Sequence, residues 1–316
     1  MSKEDLKIVF MGTPEFAVGT LKALVENEYN VVAVVTQPDK PVGRHGSVLR
    51  APEVKVYAQE NGIPVLQPEK MKDPEFHEAL RQYNADLQVV VAFRMLPEVV
   101  WSMPRLGTFN VHAALLPQYR GAAPINWAII NGETQTGVTT FFLDHDIDTG
   151  RIIMQKPFDI PDDADVEYVY DGLMNLGAQI ALETIDSIIA NDGEVKTVAQ
   201  ETVMPDVLKD APKIFKETCE IKWNKTAKEI YDFVRGLSPI PGAWGDVVLP
   251  DGTATMLKVY KASKTELSSE GLVPGTVVKE KKHLYVACSD KLIELMIIQP
   301  AGKKRMDAAA YANGLH

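Results

Sequence analysis

The chain has 316 residues, of which 46% are hydrophobic and 24% are charged, a composition ordinary for a soluble globular protein. At roughly 100–200 residues per domain, this length predicts two domains. Cys219 and Cys288 are the two cysteines, and they are isolated in the sequence, which argues against a disulfide framework and predicts a reducing compartment. The N-terminus is charged where a signal peptide would be apolar, and no apolar run approaches the ~20 residues of a membrane span. We therefore expect a cytoplasmic protein.

The charge is unevenly distributed along the chain. The net charge of −10 by itself argues against a nucleic-acid partner. However, residues 1–206 contain 16 basic and 30 acidic residues, whereas residues 207–316 contain 17 basic and 13 acidic residues. A mildly basic C-terminal part fits contact with an anionic partner. On charge alone, chance variation between two surfaces is the simpler explanation.

The first part of the chain alternates between strand and helix patterns. Lys7–Met11 and Asn30–Thr36 are continuous apolar runs typical of buried strands, and Glu15–Glu26 between them has helical spacing. This alternation predicts an α/β fold with a mostly parallel, doubly wound sheet. Gly12 is the only glycine in the first turn, so a dinucleotide fingerprint is absent. The further elements predicted in this part are Glu53–Gly62, Pro74–Tyr83, Ala122–Asn131 and Asp163–Asn191 as helices, and Ile63–Leu66, Leu87–Ala92, Gly107–Val111, Gly137–Leu143 and Ile152–Ile160 as strands.

The segment Gln37–Pro52 interrupts this alternation. It is rich in proline and glycine and is typical of an irregular insertion without structure of its own. It contains Lys40, Arg44, His45 and Arg50. Two interpretations stay open, a solvated loop and an arm that binds an anionic ligand.

The most reactive side chains lie at the two ends of the stretch Asn110–Gly150. Asn110 and His112 follow a predicted strand, and a period of two places both on one face. The acidic loop that ends this stretch contains Asp148. An amide, an imidazole and a carboxylate are the groups needed to hold a carbonyl, move a proton and orient the imidazole. The residues after the strand Leu87–Ala92 lie at the carboxyl edge of the predicted sheet, where α/β proteins bind ligands.

The acidic loop also has a metal interpretation. Asp144, Asp146 and Asp148 match the start of a calcium loop, but its glycine is at the seventh position and Gln155 stands at the twelfth. We therefore expect no metal, with Mg²⁺ as a minor alternative.

The C-terminal part has a different pattern. Thr226–Leu237 predicts a helix with a capping box formed by Thr226 and Glu229. Short strand patterns then recur, which predicts a small OB-like β-barrel domain. These strands are expected at Ala243–Leu249, Thr255–Tyr260, Gly275–Lys279, Leu284–Ala287 and Leu292–Gln299. The expected domains are residues 1–205, a linker of residues 206–212, and residues 213–316.

Five motifs in the sequence carry a family resemblance. They read FMGTPEF, VTQPDKPVGR, NVHAALLPQYRGAAPINWAI, DIDTG and QPAGKKRM, and they are distributed over nearly the whole chain. With them the chain resembles the methionyl-tRNA formyltransferase family, a branch of the 10-formyltetrahydrofolate-dependent transferases. The resemblance implies a Rossmann-like domain followed by the barrel. It also implies transfer of formyl from 10-formyltetrahydrofolate to the α-amino group of methionyl-initiator tRNA, carried out by a monomer.

The resemblance also implies roles for individual residues. Asn110 would stabilise an oxyanion, and His112 with Asp148 would handle protons. Ala114 stands where the family commonly has serine. The implied folate-binding residues are Phe93, Arg94, Met95, Leu96, Ala114, Leu115, Leu116, Pro117 and Asp144. The implied tRNA-binding residues are Lys40, Arg44, Arg50, Lys303, Lys304 and Arg305.

Three other functions compete with this interpretation. A folate-dependent N-formyltransferase acting on a small amine, such as glycinamide ribonucleotide or an amino sugar, would use the same three catalytic residues. A non-catalytic RNA-binding protein would not need them. A nicotinamide-dependent dehydrogenase would need the missing glycine fingerprint.

Overall fold

The structure, a computed structural model, describes residues 1–315. Helices and strands alternate in the first part, and strands dominate the last part. The helices of the described residues are α1 (Glu15–Glu26), α2 (Glu53–Glu60), α3 (Pro74–Arg81), α4 (Glu98–Trp101), α5 (Pro124–Ile130), α6 (Val166–Ala190), α7 (Ala227–Arg235) and α8 (Ala308–Asn313). The strands are β1 (Ile8–Gly12), β2 (Val31–Val35), β3 (Lys40–Val42), β4 (Val48–Arg50), β5 (Val65–Leu66), β6 (Leu87–Val91), β7 (Thr108–His112), β8 (Gln135–Phe142), β9 (Ile152–Asp159), β10 (Ala243–Val248), β11 (Ala254–Ser268), β12 (Val277–Glu280), β13 (His283–Ala287), β14 (Lys291–Pro300) and β15 (Met306–Asp307).

A seven-stranded sheet in the order β5-β2-β1-β6-β7-β8-β9 forms the first part of the molecule. The pairs from β5 to β7 are parallel, and β7 pairs antiparallel with β8. All residues of β1 and β6 are buried, so both faces of these central strands are covered. This double burial explains why the strands appear in the sequence as continuous apolar runs. The predicted α/β, doubly wound, mostly parallel sheet is confirmed.

The segment Gln37–Pro52 contains a β-hairpin, so the prediction of an irregular insertion was wrong. Strands β3 and β4 pair antiparallel, with Lys40 opposite Arg50. A 3-10 turn, Arg44–Gly46, joins them, and His45 there has a positive φ of 58°. Residues 40–50 are exposed throughout. A hairpin with no buried face has no apolar alternation, which is the signal that identifies a strand in a sequence.

The C-terminal sheet closes on itself. Its order is β10-β11-β14-β13-β12, the paired strands are antiparallel, and β15 pairs with β14. An isolated bridge between Val248 and Thr276 joins its two edges, and the Val248 N–H donates to the Gly275 carbonyl at 3.0 Å. Closure removes the exposed edges that an open sheet would have. The small β-barrel predicted from the sequence is confirmed.

The sequence predicted the start of α7 correctly but not the length of β11. The capping box of Thr226 and Glu229 is present at the start of α7. Strand β11, in contrast, runs to Ser268, beyond the predicted end at Tyr260. Its second half is mostly polar and exposed and departs from regular pairing with β14, so it has no alternating pattern.

Contacts between backbone positions divide the chain into two compact units. The first comprises residues 1–121, 137–158 and 170–209, and the second comprises residues 122–136, 159–169 and 210–316. The division into residues 1–205, 206–212 and 213–316 stays a prediction. No helix among residues 1–315 is long and apolar enough to cross a membrane.

Candidate active site

Strand β7 brings Asn110 and His112 to the sheet edge where the parallel strands end. Asn110 pairs with Val90 of β6 on one side and with Phe141 of β8 on the other. His112 is the last residue of β7 and is 7% exposed. The two residues are separated by one position, so their side chains share one face of the sheet. Among the hydrogen bonds of residues 1–315, none involves the Asn110 side chain, which leaves its amide available to a ligand.

A backbone carbonyl determines which ring nitrogen of neutral His112 carries the hydrogen. Its Nε2 lies 2.8 Å from the carbonyl oxygen of Tyr119, in a buried contact. A carbonyl oxygen only accepts, so Nε2 must carry the hydrogen and donate it. In the neutral ring the basic nitrogen is then Nδ1. His112 is therefore oriented by Tyr119, with its proton-accepting nitrogen turned to the other side.

Asp148 lies on that other side. Its Oδ2 is 3.7 Å from His112 Nδ1 and accepts a hydrogen bond from the Gly121 N–H at 2.9 Å. At 3.7 Å the two side chains are close enough for charge pairing. A proton taken up at Nδ1 would be stabilised by this carboxylate. The pair can therefore accept a proton from a neighbouring group and return it.

The backbone around Asp148 is unusual. Strand β8 runs antiparallel to β7, so the loop after β8 must fold back to bring Asp148 to His112. Asp148 has a φ of +56°, a left-handed conformation that aspartate adopts more readily than most residues. Gly150, two residues on, has no room for a side chain, because a Cβ there would overlap the carbonyl oxygen of Phe142. The backbone conformation of the acidic loop is therefore restricted at Asp148 and Gly150.

Two residues that the sequence did not single out hold this loop. The Gln200 amide nitrogen donates to the carbonyl oxygens of Asp148 and Gly150, each at 2.8 Å. The Gln200 side-chain oxygen accepts from Arg120 at 2.7 and 3.1 Å. Gln200 lies in an irregular connection 52 positions from Asp148, so no local pattern could have identified it.

The residues predicted for one folate wall follow β6, next to the site. Leu96 is buried in a core cluster, and the partly buried Phe93 packs against that cluster. Met95 is 63% exposed. Arg94 donates to the backbone carbonyls of Pro68 and Glu69, and its burial lowers the pKa of its guanidinium. Its side chain thus braces the neighbouring segment.

The second predicted wall follows β7. Ala114, Leu116 and Pro117 are buried, and Leu115 is partly buried. Leu143, after β8, packs against both the cluster of Leu116 and the cluster of Leu96. Leu143 therefore packs against residues of both predicted folate walls.

Asp144 lies at the start of the acidic loop and its carboxylate shapes that loop from within. Its Oδ1 accepts from the Asp146 N–H at 3.2 Å and from the Thr149 hydroxyl at 2.7 Å, in exposed contacts. No group of three His, Cys, Asp or Glu side chains within residues 1–315 is arranged to hold a metal ion.

The basic residues predicted for tRNA are exposed in both units. In the first unit, Lys40 and Arg44 extend from the hairpin, and Arg50 pairs with Glu53 at 3.1 Å. In the second unit, the run 303–305 is exposed in the turn between β14 and β15. Its members are Lys303, Lys304 and Arg305. The charges of both groups are accessible to an anionic partner.

Comparison with known proteins gives the family of this chain. Residues 6–185 match the family described as formyl transferase, and residues 213–316 match the formyl transferase C-terminal domain. The chain belongs to the formyl transferase family. A methionyl-tRNA formyltransferase of Parabacteroides distasonis is 57% identical over 99% of this chain and 97% of its own length. The predicted membership of this family is thereby confirmed.

Solved structures of more distant proteins share the fold. An N-formyltransferase from Helicobacter canadensis, in complex with folinic acid and dTDP-3-aminofucose, has a TM-score of 0.65 at 20% identity, covering 93% of this chain and 99% of its own. HypX from Aquifex aeolicus, in complex with tetrahydrofolic acid, has a TM-score of 0.62 at 19% identity over 98% of this chain. The chain spans about half of HypX, 47% of its length.

Proposed function

We propose that this protein transfers the formyl group of 10-formyltetrahydrofolate to the α-amino group of methionyl-initiator tRNA, giving N-formylmethionyl-tRNA for translation initiation. The observation that carries the proposal is the 57% identity to a methionyl-tRNA formyltransferase over 99% of the chain, since it includes the C-terminal domain as well as the catalytic one. A cytoplasmic monomer organised as residues 1–205, 206–212 and 213–316 is part of the same proposal.

The residues at the sheet edge fit a flat, partly apolar ligand with a hydrogen-bonding rim. Met95 is an exposed apolar side chain there, and Leu96 and Leu116 give buried apolar support on the two walls. The backbone near Asp144 and Asp148 adds polar groups. Such a combination is typical of cofactor sites. Bound folate would supply an activated formyl carbon. Residues of this chain would stabilise the charge that develops on the formyl oxygen and would transfer the proton.

Asn110 and His112 serve different parts of the reaction. A bond forms between the α-amino nitrogen and the formyl carbon, and the bond from that carbon to the folate nitrogen breaks. Negative charge gathers on the formyl oxygen meanwhile, and the available amide of Asn110 is suited to donate a hydrogen bond to it. The amine loses one proton and the folate nitrogen gains one, so the reaction needs a group that does both.

His112 is the group best suited to move that proton. Its Nε2 is committed to the Tyr119 carbonyl, so Nδ1 is the nitrogen that takes and returns the proton. Asp148, 3.7 Å away, stabilises the imidazolium while it exists. The Gly121 N–H holds the carboxylate in place through its hydrogen bond to Oδ2.

Exposed basic residues would bind the tRNA without reading its sequence. Lys40, Arg44 and Arg50 lie on the hairpin, and the run 303–305 lies on the barrel. Contacts to phosphate position a nucleic acid and contribute most of its salt-dependent affinity. The hairpin also exposes Leu49, which is 69% accessible and can pack against a nucleotide base or sugar.

A folate-dependent transferase acting on a small amine is the second candidate. It would use the same Asn110, His112 and Asp148 but would need neither the basic hairpin nor the basic barrel. Incubation with 10-formyltetrahydrofolate and methionyl-initiator tRNA tests the proposal. We expect N-formylmethionine after hydrolysis of the product. No formylation of methionyl-tRNA, combined with formylation of an amino-sugar nucleotide or glycinamide ribonucleotide, would establish the second candidate instead.

A further inference from the structure

Asp148 reaches His112 from a loop whose path needs outside support. Strand β8 points away from the carboxyl edge of the parallel strands, and the loop returns with a left-handed residue at Asp148 itself. Left-handed conformations of residues other than glycine persist where surrounding contacts hold them. The carboxylate accepts a backbone hydrogen bond from Gly121 at 2.9 Å. That bond orients the side chain, but the backbone that carries it needs contacts of its own.

We propose that Gln200 and Arg120 are positioning residues that hold the Asp148 carboxylate beside His112 by clamping the backbone on both sides of it. This inference rests on the proposed function, in which Asp148 stabilises the protonated His112. Neither residue touches the reacting groups. Both act through the position of Asp148.

The hydrogen bonds of Gln200 use the whole capacity of its amide. Two N–H groups go to the carbonyl oxygens of Asp148 and Gly150, and two lone pairs accept from the Nε and Nη2 of Arg120. Carbonyl oxygens only accept and guanidinium nitrogens only donate, so the amide can point only one way. Gln200 is fully buried, which makes each of these bonds costly to leave unmade.

The backbone that precedes Gln200 is hydrogen-bonded to the sheet. Two backbone positions earlier, Val198 exchanges two hydrogen bonds with Ile152 of β9, each at 2.8 Å. Gln200 itself begins a 3-10 turn, Gln200–Val203. The Gln200 side chain therefore links the edge of the sheet to the loop, which fixes the backbone of Asp148 relative to the sheet. Arg120 adds a link to the Tyr119–Gly121 segment, whose outer residues contact His112 and Asp148.

The substitution Gln200→Glu removes the two donated hydrogen bonds and introduces a buried carboxylate. The shape is kept and Arg120 still finds an acceptor, but the two backbone carbonyls now face carboxylate oxygens. We expect kcat to fall by about 10–100-fold, the size of effect that a displacement near 1 Å has on a catalytic group. The KM values for folate and tRNA should stay close to those of the parent, because no substrate contact is lost.

A matched control uses another link between the same two segments. Arg151 donates to the hydroxyl and the carbonyl of Thr197, at 2.7 and 3.2 Å, without touching the backbone of Asp148. Arg151→Leu removes two exposed hydrogen bonds between the same two segments, and we expect its kcat to stay near the parental value. An equal fall of kcat in both variants would overturn the proposal.

A buried carboxylate can unfold the protein, so a second pair of variants is needed. Arg120 is only partly buried, and Arg120→Met removes both donors to Gln200 while sparing the Gln200 side chain. We expect kcat to fall in Arg120→Met and to be partly restored in Arg120→Lys, which can still donate to the same oxygen. Folded Arg120→Met protein with parental kcat would overturn the clamp.

A readout independent of turnover separates this proposal from the proposed function. The Gly121 amide hydrogen is held by Asp148, so its exchange with solvent should accelerate in Gln200→Glu and Arg120→Met but not in Arg151→Leu. Unchanged exchange at Gly121 in both clamp variants would overturn the inference. If the parent protein formylates no methionyl-tRNA, the proposed function fails, while the exchange rates still decide whether the clamp exists.

Discussion

Replacement of His112 by glutamine separates its two contacts. The amide of a glutamine side chain has a similar reach and can still donate to the Tyr119 carbonyl, now served by Nε2 at 2.8 Å. It has no basic nitrogen to face Asp148, 3.7 Å away in the parent. His112→Gln therefore removes the proton relay and keeps the structural hydrogen bond.

The two contacts predict different magnitudes for activity and stability. General acid–base catalysis by a positioned side chain contributes about 100–10,000-fold, so kcat should fall by that factor, or about 3–5 kcal/mol in activation free energy. The free energy of unfolding should change little, since the buried carbonyl keeps a donor. His112→Ala, in contrast, leaves this carbonyl unpaired and should lower the free energy of unfolding by about 1–3 kcal/mol more, the cost of one buried unsatisfied group.

Steady-state formylation and urea unfolding of both variants measure these effects. We expect similar losses of kcat in the two variants and a loss of stability mainly in His112→Ala. Folate binding, followed by fluorescence, should be close to parental in His112→Gln. Turnover near the parental value in a folded His112→Gln protein would refute the assignment of the proton to His112.

Three other substitutions test the oxyanion donor, the hairpin and the acidic loop. Asn110→Ala should lower kcat about 100–1000-fold, as loss of an oxyanion donor does, and near-normal turnover would exclude that role. Arg44→Ala should weaken tRNA binding and reduce the slope of log Kd against log salt by about 1, and an unchanged slope would contradict a phosphate contact. Gly150→Ala should lower the free energy of unfolding by about 1–3 kcal/mol in urea, because its Cβ would overlap the Phe142 carbonyl. Gly314→Ala, where the nearest atom is 3.6 Å away, is the matched control and should be close to neutral.

Helices and strands that bury at least one face could be predicted from the sequence. The strands β1 and β6 are covered on both faces and β2 is largely buried, and their apolar runs identified them directly. The capping box of α7 has a fixed spacing, so it too could be recognised locally. The exposed hairpin β3–β4 could not, because neither of its faces packs against a core.

The candidate site was predictable only in part, for a similar reason. Asn110 and His112 are two residues apart on one strand, so their proximity follows from local geometry. The approach of Asp148 depends on an antiparallel strand and a returning loop. The role of Gln200 depends on a contact with Asp148, which lies 52 positions away in the sequence. Neither the residue type nor the neighbouring sequence indicates this contact. The hydrogen bond that fixes the His112 tautomer involves a backbone carbonyl, which no side-chain pattern can reveal.

A competition between amines is the sharpest test of the proposed function. The protein is given limiting 10-formyltetrahydrofolate with a labelled formyl group and equal concentrations of methionyl-initiator tRNA, glycinamide ribonucleotide and an amino-sugar nucleotide. We expect the label to appear on methionyl-tRNA, and Asn110→Ala and His112→Gln to slow its appearance. Label on either small amine, with methionyl-tRNA unlabelled, would contradict the proposed function.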